Sequence, residues 1–257
     1  MGVRTLPLLV VLLLLLVGPL AAGPASSETK VGSNVDVRTI VALKIADGEA
    51  QKLLPPGWTV NPVASGPNQG ANLTMTFLDQ LLNQDPEGKP AGSARTLAFG
   101  VPAKNAATGA AGNNVVRILT ANTAGIPGPY KVGAPAAFRL EQSIKATDME
   151  PAAVSERWEV RAQSGGTVTL ALDYTRALPA RAKTEAKIYG GPDPNFFRIY
   201  RVDAGNDVLR SVPSSVDRVK KVQLRVTIPD LKKAFDGSEQ IVSVTAIPWY
   251  VREVALP

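Results

Sequence analysis

The sequence predicts a mainly β protein, built as a single closed or nearly closed antiparallel β-barrel or β-cone with two short helices. Three features support this fold class: apolar and polar residues alternate along much of the chain, helical periodicity is scarce, and loops rich in glycine and proline recur at short intervals. A sheet of about ten strands with one apolar face buries that face best by curling on itself. Such a sheet often holds a ligand cavity at its mouth.

The N-terminal segment, residues 1–25, is expected to be a signal peptide. Arg4 supplies a positive charge, residues 6–16 are almost wholly apolar, and small residues lead up to Ala25. The apolar stretch is shorter than the ~20 residues of a membrane-spanning helix. We therefore expect cleavage after Ala25, a periplasmic or secreted protein, and no membrane partner once the signal is removed. An uncleaved N-terminal anchor is the alternative.

Residues 26–257 are expected to form one β domain, because no low-complexity linker or internal repeat divides them. Period-two alternation predicts strands at 35–45, 72–77, 97–101, 138–145 and 221–228, and a hairpin at 157–172. The first short helix is predicted at 47–54, where a capping-type aspartate starts the segment and two prolines follow it. The second is predicted at 229–235, with proline in the first turn and glycine just beyond.

The composition excludes several chemistries. The chain contains neither cysteine nor histidine, so the usual zinc, copper, haem and iron–sulfur ligand sets cannot be assembled. Ser-His-Asp and Cys-His catalysis are excluded for the same reason. No metal and no cofactor are therefore expected, and any acid–base or covalent step would have to use Asp, Glu, Lys, Tyr, Ser or Arg.

The charge balance is basic, with 28 Lys and Arg against 22 Asp and Glu and a formal net charge of +6. The cations are scattered among acids and form no stripe with interleaved aromatics, so we expect no nucleic-acid partner. A small-molecule ligand or substrate is the expected partner, and the sequence also leaves a homo-oligomer open.

Four segments resemble the acetoacetate decarboxylase-like superfamily in their order along the chain. They are LLPPGWTVNP (53–62), ANLTMTFLD (71–79), GIPGPYKVGAPA (125–136), which is similar to the family's Gly-x-Pro-Lys segment, and IPWYVREVALP (247–257). The resemblance spans most of the mature chain and implies a β-cone around a mostly apolar pocket. In active decarboxylases of this family a pocket lysine forms a Schiff base with a β-keto acid.

The resemblance identifies Lys131 as the candidate Schiff-base lysine and Arg38 as the candidate ligand for a substrate carboxylate. A lysine is protonated near neutral pH, so a reacting amine would need burial or a neighbouring cation to lower its pKa. Two neighbours complete the candidate site. Tyr130 could donate a hydrogen bond to a substrate oxygen or simply cap its turn, and Glu141 could act as a pocket acid or pair with a cross-strand cation.

Three functions are compatible with these residues. The first is an exported binding protein that holds a small keto, carboxylate or apolar ligand without converting it. Val132 favours it, because it stands where the active family members have a second lysine. The second is a Schiff-base lyase or decarboxylase that acts on a β-keto acid through Lys131. The third is a structural envelope protein with a filled interior and no ligand.

The signal-peptide hypothesis predicts a defined mature N-terminus. When the full chain is expressed in a bacterium, we expect it outside the cytosol and beginning at Ser26. Fractionation followed by N-terminal mass spectrometry measures both properties. A full-length chain that stays in the cytosol would contradict the hypothesis.

Overall fold

A computed structural model of the protein describes residues 28–257 and folds them into one connected sheet of 13 strands. The strands are β1 Thr29–Lys44, β2 Trp58–Val60, β3 Leu73–Gln84, β4 Ala94–Asn105, β5 Ala111–Thr120, β6 Gly133–Lys145, β7 Ala153–Ala162, β8 Thr167–Thr175, β9 Ala180–Gly190, β10 Phe197–Ser211, β11 Val216–Asp217, β12 Val219–Val226 and β13 Gln240–Leu256. The predicted mainly β fold is confirmed.

Seven of these strands close a ring. Its order is β1, β3, β4, β5, β9, β10 and β13, and β13 pairs again with β1. The pairing is antiparallel except at β5, where residues 113–115 pair in parallel with β9 and residues 118–120 pair in parallel with β6. The predicted closure of the sheet is therefore confirmed. The two parallel pairings of β5 depart from the predicted all-antiparallel pattern, because the chain leaves and re-enters the ring at this strand.

The remaining large strands form an arm that leaves the ring at β5. In this arm β6, β7, β8 and β12 pair successively in antiparallel order. The apolar face of the arm and the ring share one core, in which the rings of Phe77 and Trp158 lie 5.6 Å apart. The hairpin predicted at 157–172 supplies the middle of this arm.

The two faces of the ring strands have different environments. On β1, β3 and β4 the odd-numbered apolar side chains, such as Val41, Phe77 and Leu97, pack in the core against the arm. The even-numbered side chains of the same strands, such as Ile40 and Thr76, point into the ring. Because successive side chains of a strand face opposite sides, the core on the outer side leaves the inner side available to line a cavity.

A buried carboxylate joins the ring to the arm. Glu156 on β7 is 3% exposed and accepts hydrogen bonds from Thr39 Oγ1 on β1 at 2.7 Å and from Trp158 Nε1 at 2.6 Å. Gln142 Nε2 on β6 donates to its other oxygen at 3.1 Å. A buried carboxylate needs such donors, since desolvation without them is costly. The bond from Thr39 therefore links β7 of the arm to β1 of the ring, and the bonds from Trp158 and Gln142 hold the carboxylate in place.

The helical segments are shorter than predicted. The first helix, α1, covers Asp47–Leu53, and Ala46 occupies its N-cap position, so Asp47 is not the capping residue. The second segment is a 3₁₀ helix at Pro229–Leu231 instead of a helix over 229–235. Its bonds are mainly of the i to i+3 type, and Gly237, with φ of +99°, lies just beyond. One α-helix, and not two, is present in residues 28–257.

The structure does not test the predicted signal peptide. The proposed signal peptide, residues 1–25, lies outside the described residues. Within residues 28–257 no helix is both long enough and apolar enough to cross a membrane.

The shared core predicts a large effect of cavity-forming substitutions. Phe77→Ala removes a fully buried phenyl group that packs between the ring of strands and the arm. It should lower the free energy of unfolding by about 3–5 kcal/mol. Leu178→Ala is the control, because Leu178 is 96% exposed and its removal should change stability by less than about 0.5 kcal/mol. Urea denaturation measures both, and equal effects would contradict the assigned core.

Candidate functional site

The interior of the ring holds a cavity of about 710 Å³. Neutral polar side chains of β3, β4 and β5 line one side of it, among them Thr76, Gln80 and Thr96. The segment 125–130, which connects β5 to β6, lines its rim together with β9, where Thr184 and Ala186 are exposed. The remaining wall is formed by β10, β13 and β1. It differs from the rest because it carries charge.

Three arginines line this charged wall, one on each of three neighbouring strands. Arg198 lies on β10, Arg252 on β13 and Arg38 on β1. No Asp or Glu is among the described residues that line the cavity. One buried carboxylate, Asp36, contacts the wall through its hydrogen bonds with Arg38. Three guanidinium groups against one carboxylate leave the wall with two uncompensated positive charges.

Arg38 is held by Asp36. Its Nε and Nη2 lie 2.5 and 2.9 Å from the two carboxylate oxygens of Asp36, and the side chain of Asp36 is fully buried. The guanidinium carbon of Arg38 also lies 3.3 Å from the centroid of the Tyr250 ring. A paired and stacked guanidinium has few rotamers left to it. The structure places Arg38 at the cavity, and its expected contact with a substrate carboxylate stays a prediction.

Arg252 continues the same network on the next strand. Its Nε donates to Asn34 Oδ1 at 2.7 Å, and the amide of Asn34 donates in turn to Asp36. The Arg252 guanidinium carbon lies 4.2 Å from the centroid of the Tyr200 ring. Arg252 forms no ion pair with a carboxylate of residues 28–257. Its remaining N–H groups are consequently available to the cavity.

Arg198 is the least satisfied of the three. Its Nε is buried and has no hydrogen-bond partner among the described residues, and no ion pair with a carboxylate of that part of the chain involves it. Asn113 Oδ1, another atom of a cavity-lining residue, is also buried without a partner. Buried polar groups are nearly always hydrogen-bonded in folded proteins. A donor, Arg198 Nε, and an acceptor, Asn113 Oδ1, are therefore unmatched within the described residues at the wall of the cavity.

Tyr130 brings a phenol to the arginines. Its hydroxyl donates to the hydroxyl of Tyr200 at 2.9 Å. Burial raises the pKa of Tyr130, the adjacent Tyr200 raises it further, and the charges of Arg198 and Arg252 act in the opposite direction. The phenol is therefore protonated at neutral pH. A Cβ on Gly191 would lie 2.6 Å from the Tyr130 carbonyl oxygen, so the glycine, at φ of +89°, lets the two chains approach.

Lys131 lies outside the cavity. Its side chain is exposed, and it is not one of the residues that line the ring interior, whereas the six residues that precede it are. The Gly-x-Pro of this segment is residues 125–127, and Gly128 follows the proline directly. Among the described residues no lysine lines the cavity. The structure thus does not give Lys131 the burial that the Schiff-base hypothesis requires, and imine formation at this residue stays a prediction.

Glu141 is also remote from the ring interior. It lies on the exposed face of β6 and forms an ion pair with Arg139 on the same strand. Its cross-strand neighbour is Arg157. Of the four residues predicted for the site, the structure brings Arg38 and Tyr130 to the cavity, and leaves Lys131 and Glu141 outside it.

The sequence interpretation did not single out Arg198 and Arg252. A signal for them exists, because each is separated from a tyrosine by one residue, in Arg198-Ile199-Tyr200 and in Tyr250-Val251-Arg252. On a strand this spacing puts the arginine and the tyrosine on the same face. Within residues 28–257 no three acidic side chains come together as a metal site would require.

Comparison with known proteins places this geometry in context. No family model and no curated protein matches the sequence. Several solved structures match the fold, among them the three enzymes that follow. An acetoacetate decarboxylase-like enzyme from Sphingomonas wittichii RW1 matches with a TM-score of 0.53 and 15% identity, covering 89% of this chain and 92% of that chain. Acetoacetate decarboxylase from Legionella pneumophila subsp. pneumophila matches with a TM-score of 0.52 and 11% identity, covering 92% of this chain and 91% of that chain.

The third structure is the enduracididine biosynthesis enzyme MppR, in complex with the condensation product of pyruvate and imidazole 4-carboxaldehyde. It matches with a TM-score of 0.54 and 9% identity, covering 88% of this chain and 87% of that chain. At these identities the likeness concerns the fold, over nearly the whole length of each chain. The protein therefore has the acetoacetate decarboxylase-like fold that its sequence predicts.

Proposed function

We propose that the protein is an exported binding protein that holds a small carboxylate or keto acid inside the ring without converting it. The observation that carries this proposal is the arginine wall: three guanidinium groups and a phenol pair line a cavity that no described lysine enters. Guanidinium groups suit carboxylates because their N–H groups match the two carboxylate oxygens. MppR, whose fold is similar, has been solved with pyruvate bound, which supports the same ligand class.

The volume of the cavity also supports a ligand. A space of about 710 Å³ lies within the range of small-molecule sites, and like them it combines apolar surface with a few convergent polar groups. Ile40, Leu78 and Ile188 supply part of the apolar surface. The hypothesis of a structural protein with a filled interior does not account for such a space.

The chemistry of the lining supports binding without conversion. Schiff-base decarboxylation needs a neutral primary amine that reaches the substrate carbonyl. Arginine remains protonated and cannot serve as that amine, and buried tyrosines with a raised pKa are poor bases near neutral pH. A lyase that acts through Lys131 is the alternative function, because that lysine directly follows Tyr130. It would require the segment around Lys131 to turn the amine into the ring.

Chemical trapping separates binding from imine formation. With acetoacetate or pyruvate and borohydride, we expect no added mass on Lys131, because its side chain is exposed and lies outside the cavity. Mass spectrometry of a digest measures this, and the exposed Lys145 serves as the internal reference for non-specific labelling. A reduced adduct on Lys131 that Lys145 lacks would replace the binding proposal with the lyase alternative.

Filling the cavity should abolish binding. Ala186 lines the ring interior on β9, and Ala186→Trp would occupy the space of a ligand. Lys183→Trp is the matched control, because Lys183 lies on the opposite face of the same strand and contacts Asp203. Calorimetric titration with pyruvate should detect binding to the control variant and a loss of at least about tenfold in affinity for Ala186→Trp. Equal affinities of the two variants would place the site elsewhere.

A further inference from the structure

The number of charges on the arginine wall bears on the ligand's own charge. Arg38 is already paired with Asp36 by two hydrogen bonds. Arg198 and Arg252 have no such partner in residues 28–257. A carboxylate with a single charge would neutralise only one of them. The other would remain a partly buried cation without a counter-charge, which is unfavourable.

The two unpaired arginines converge on one place in the cavity. Arg198 and Tyr200 are two residues apart on β10 and face the same side, and Arg252 lies over the ring of Tyr200 at 4.2 Å. The Tyr200 hydroxyl is the acceptor of the Tyr130 hydrogen bond. The charges of both arginines also act on the Tyr130 phenol. The tyrosine pair thus marks a location within reach of both guanidinium groups.

From this arrangement we infer that the cavity takes a ligand with two negative charges, held between Arg198 and Arg252 beside the Tyr130–Tyr200 pair. The inference rests on the proposed function, which requires only that some small anion binds. It goes further, because it excludes a singly charged acid as the preferred ligand. Arg198, which lines the cavity and has no ion-pair partner in residues 28–257, becomes the donor to the second charge through its guanidinium group. A dicarboxylate and a phosphate monoester share this chemistry.

Calorimetric titrations with acetate, succinate and methyl phosphate at one ionic strength test the inference. We expect succinate or methyl phosphate to bind at least about tenfold more tightly than acetate. The second negative charge adds hydrogen bonds to a charged guanidinium group, and such a bond strengthens binding by about that factor. Tighter binding of methyl phosphate would assign the two charges to one head group. Tighter binding of succinate would assign them to two separated groups. Either order supports a doubly charged ligand.

Variants identify the residues responsible. Arg198→Gln and Arg252→Gln should each remove the preference for the doubly charged ligand, and Arg198→Lys should retain part of it because the charge is kept. Arg201→Gln is the matched control, since Arg201 lies on the outer face of β10 and pairs with Glu28 and Glu185. Thermal melting of each variant confirms that it is folded before binding is compared.

The outcomes separate the two proposals. If acetate binds as tightly as both doubly charged probes, or if neither glutamine variant changes the preference, the inference is overturned while the binding function stands. If none of the three anions nor pyruvate binds to the wild-type protein, both fail. If the control Arg201→Gln loses the preference to the same extent, the effect is one of net charge and the assignment to Arg198 and Arg252 is overturned.

Discussion

The closed ring depends on an outer core that holds strands whose inner faces are not packed. Along β1, β3 and β4 the apolar residues of one parity, such as Val41 and Phe77, are buried against the arm. The side chains of the other parity can therefore be polar without loss of the core. Thr39 and Glu156 add a buried polar bond between the same two layers. If the arm did not cover this outer face, the ring would have to fill its own interior with apolar side chains to be stable.

Because the outer face supplies the core, the inward-facing residues of β1 can form a polar network at the cavity. Asp36 is fully buried and pairs with Arg38. The Asn34 side chain donates to the same carboxylate and accepts a hydrogen bond from Arg252, so it connects Asp36 to Arg252. A charge inside a protein is tolerated when it is paired and hydrogen-bonded. In the wall, Asp36 neutralises Arg38, whereas Arg198 and Arg252 form no ion pair with a carboxylate in the described part of the chain. Such an arrangement can bind an anion by electrostatics and hydrogen bonding without any reacting group.

The sequence predicts the core of this protein better than its cavity. Strands with an apolar parity, such as those at 35–45 and 157–172, are visible because their buried face leaves a period of two. Strand β9 was not predicted, since its cavity-facing residues Ala182 and Thr184 are small and its outer residues are charged. No apolar alternation marks such a strand. Arg38 was found through a family resemblance, and parity alone would have assigned it to solvent. The position of Lys131 depends on the path of the segment that joins β5 to β6, and local sequence does not determine that path.

The central claim is that guanidinium groups, and no primary amine, meet the ligand. A crystal structure of the protein grown in the presence of millimolar pyruvate tests it most directly. Our account predicts the pyruvate carboxylate against the arginine wall, within hydrogen-bond distance of Arg198 or Arg252, with the Lys131 amine outside the ring. Electron density continuous between the Lys131 Nζ and the keto carbon of pyruvate would contradict it.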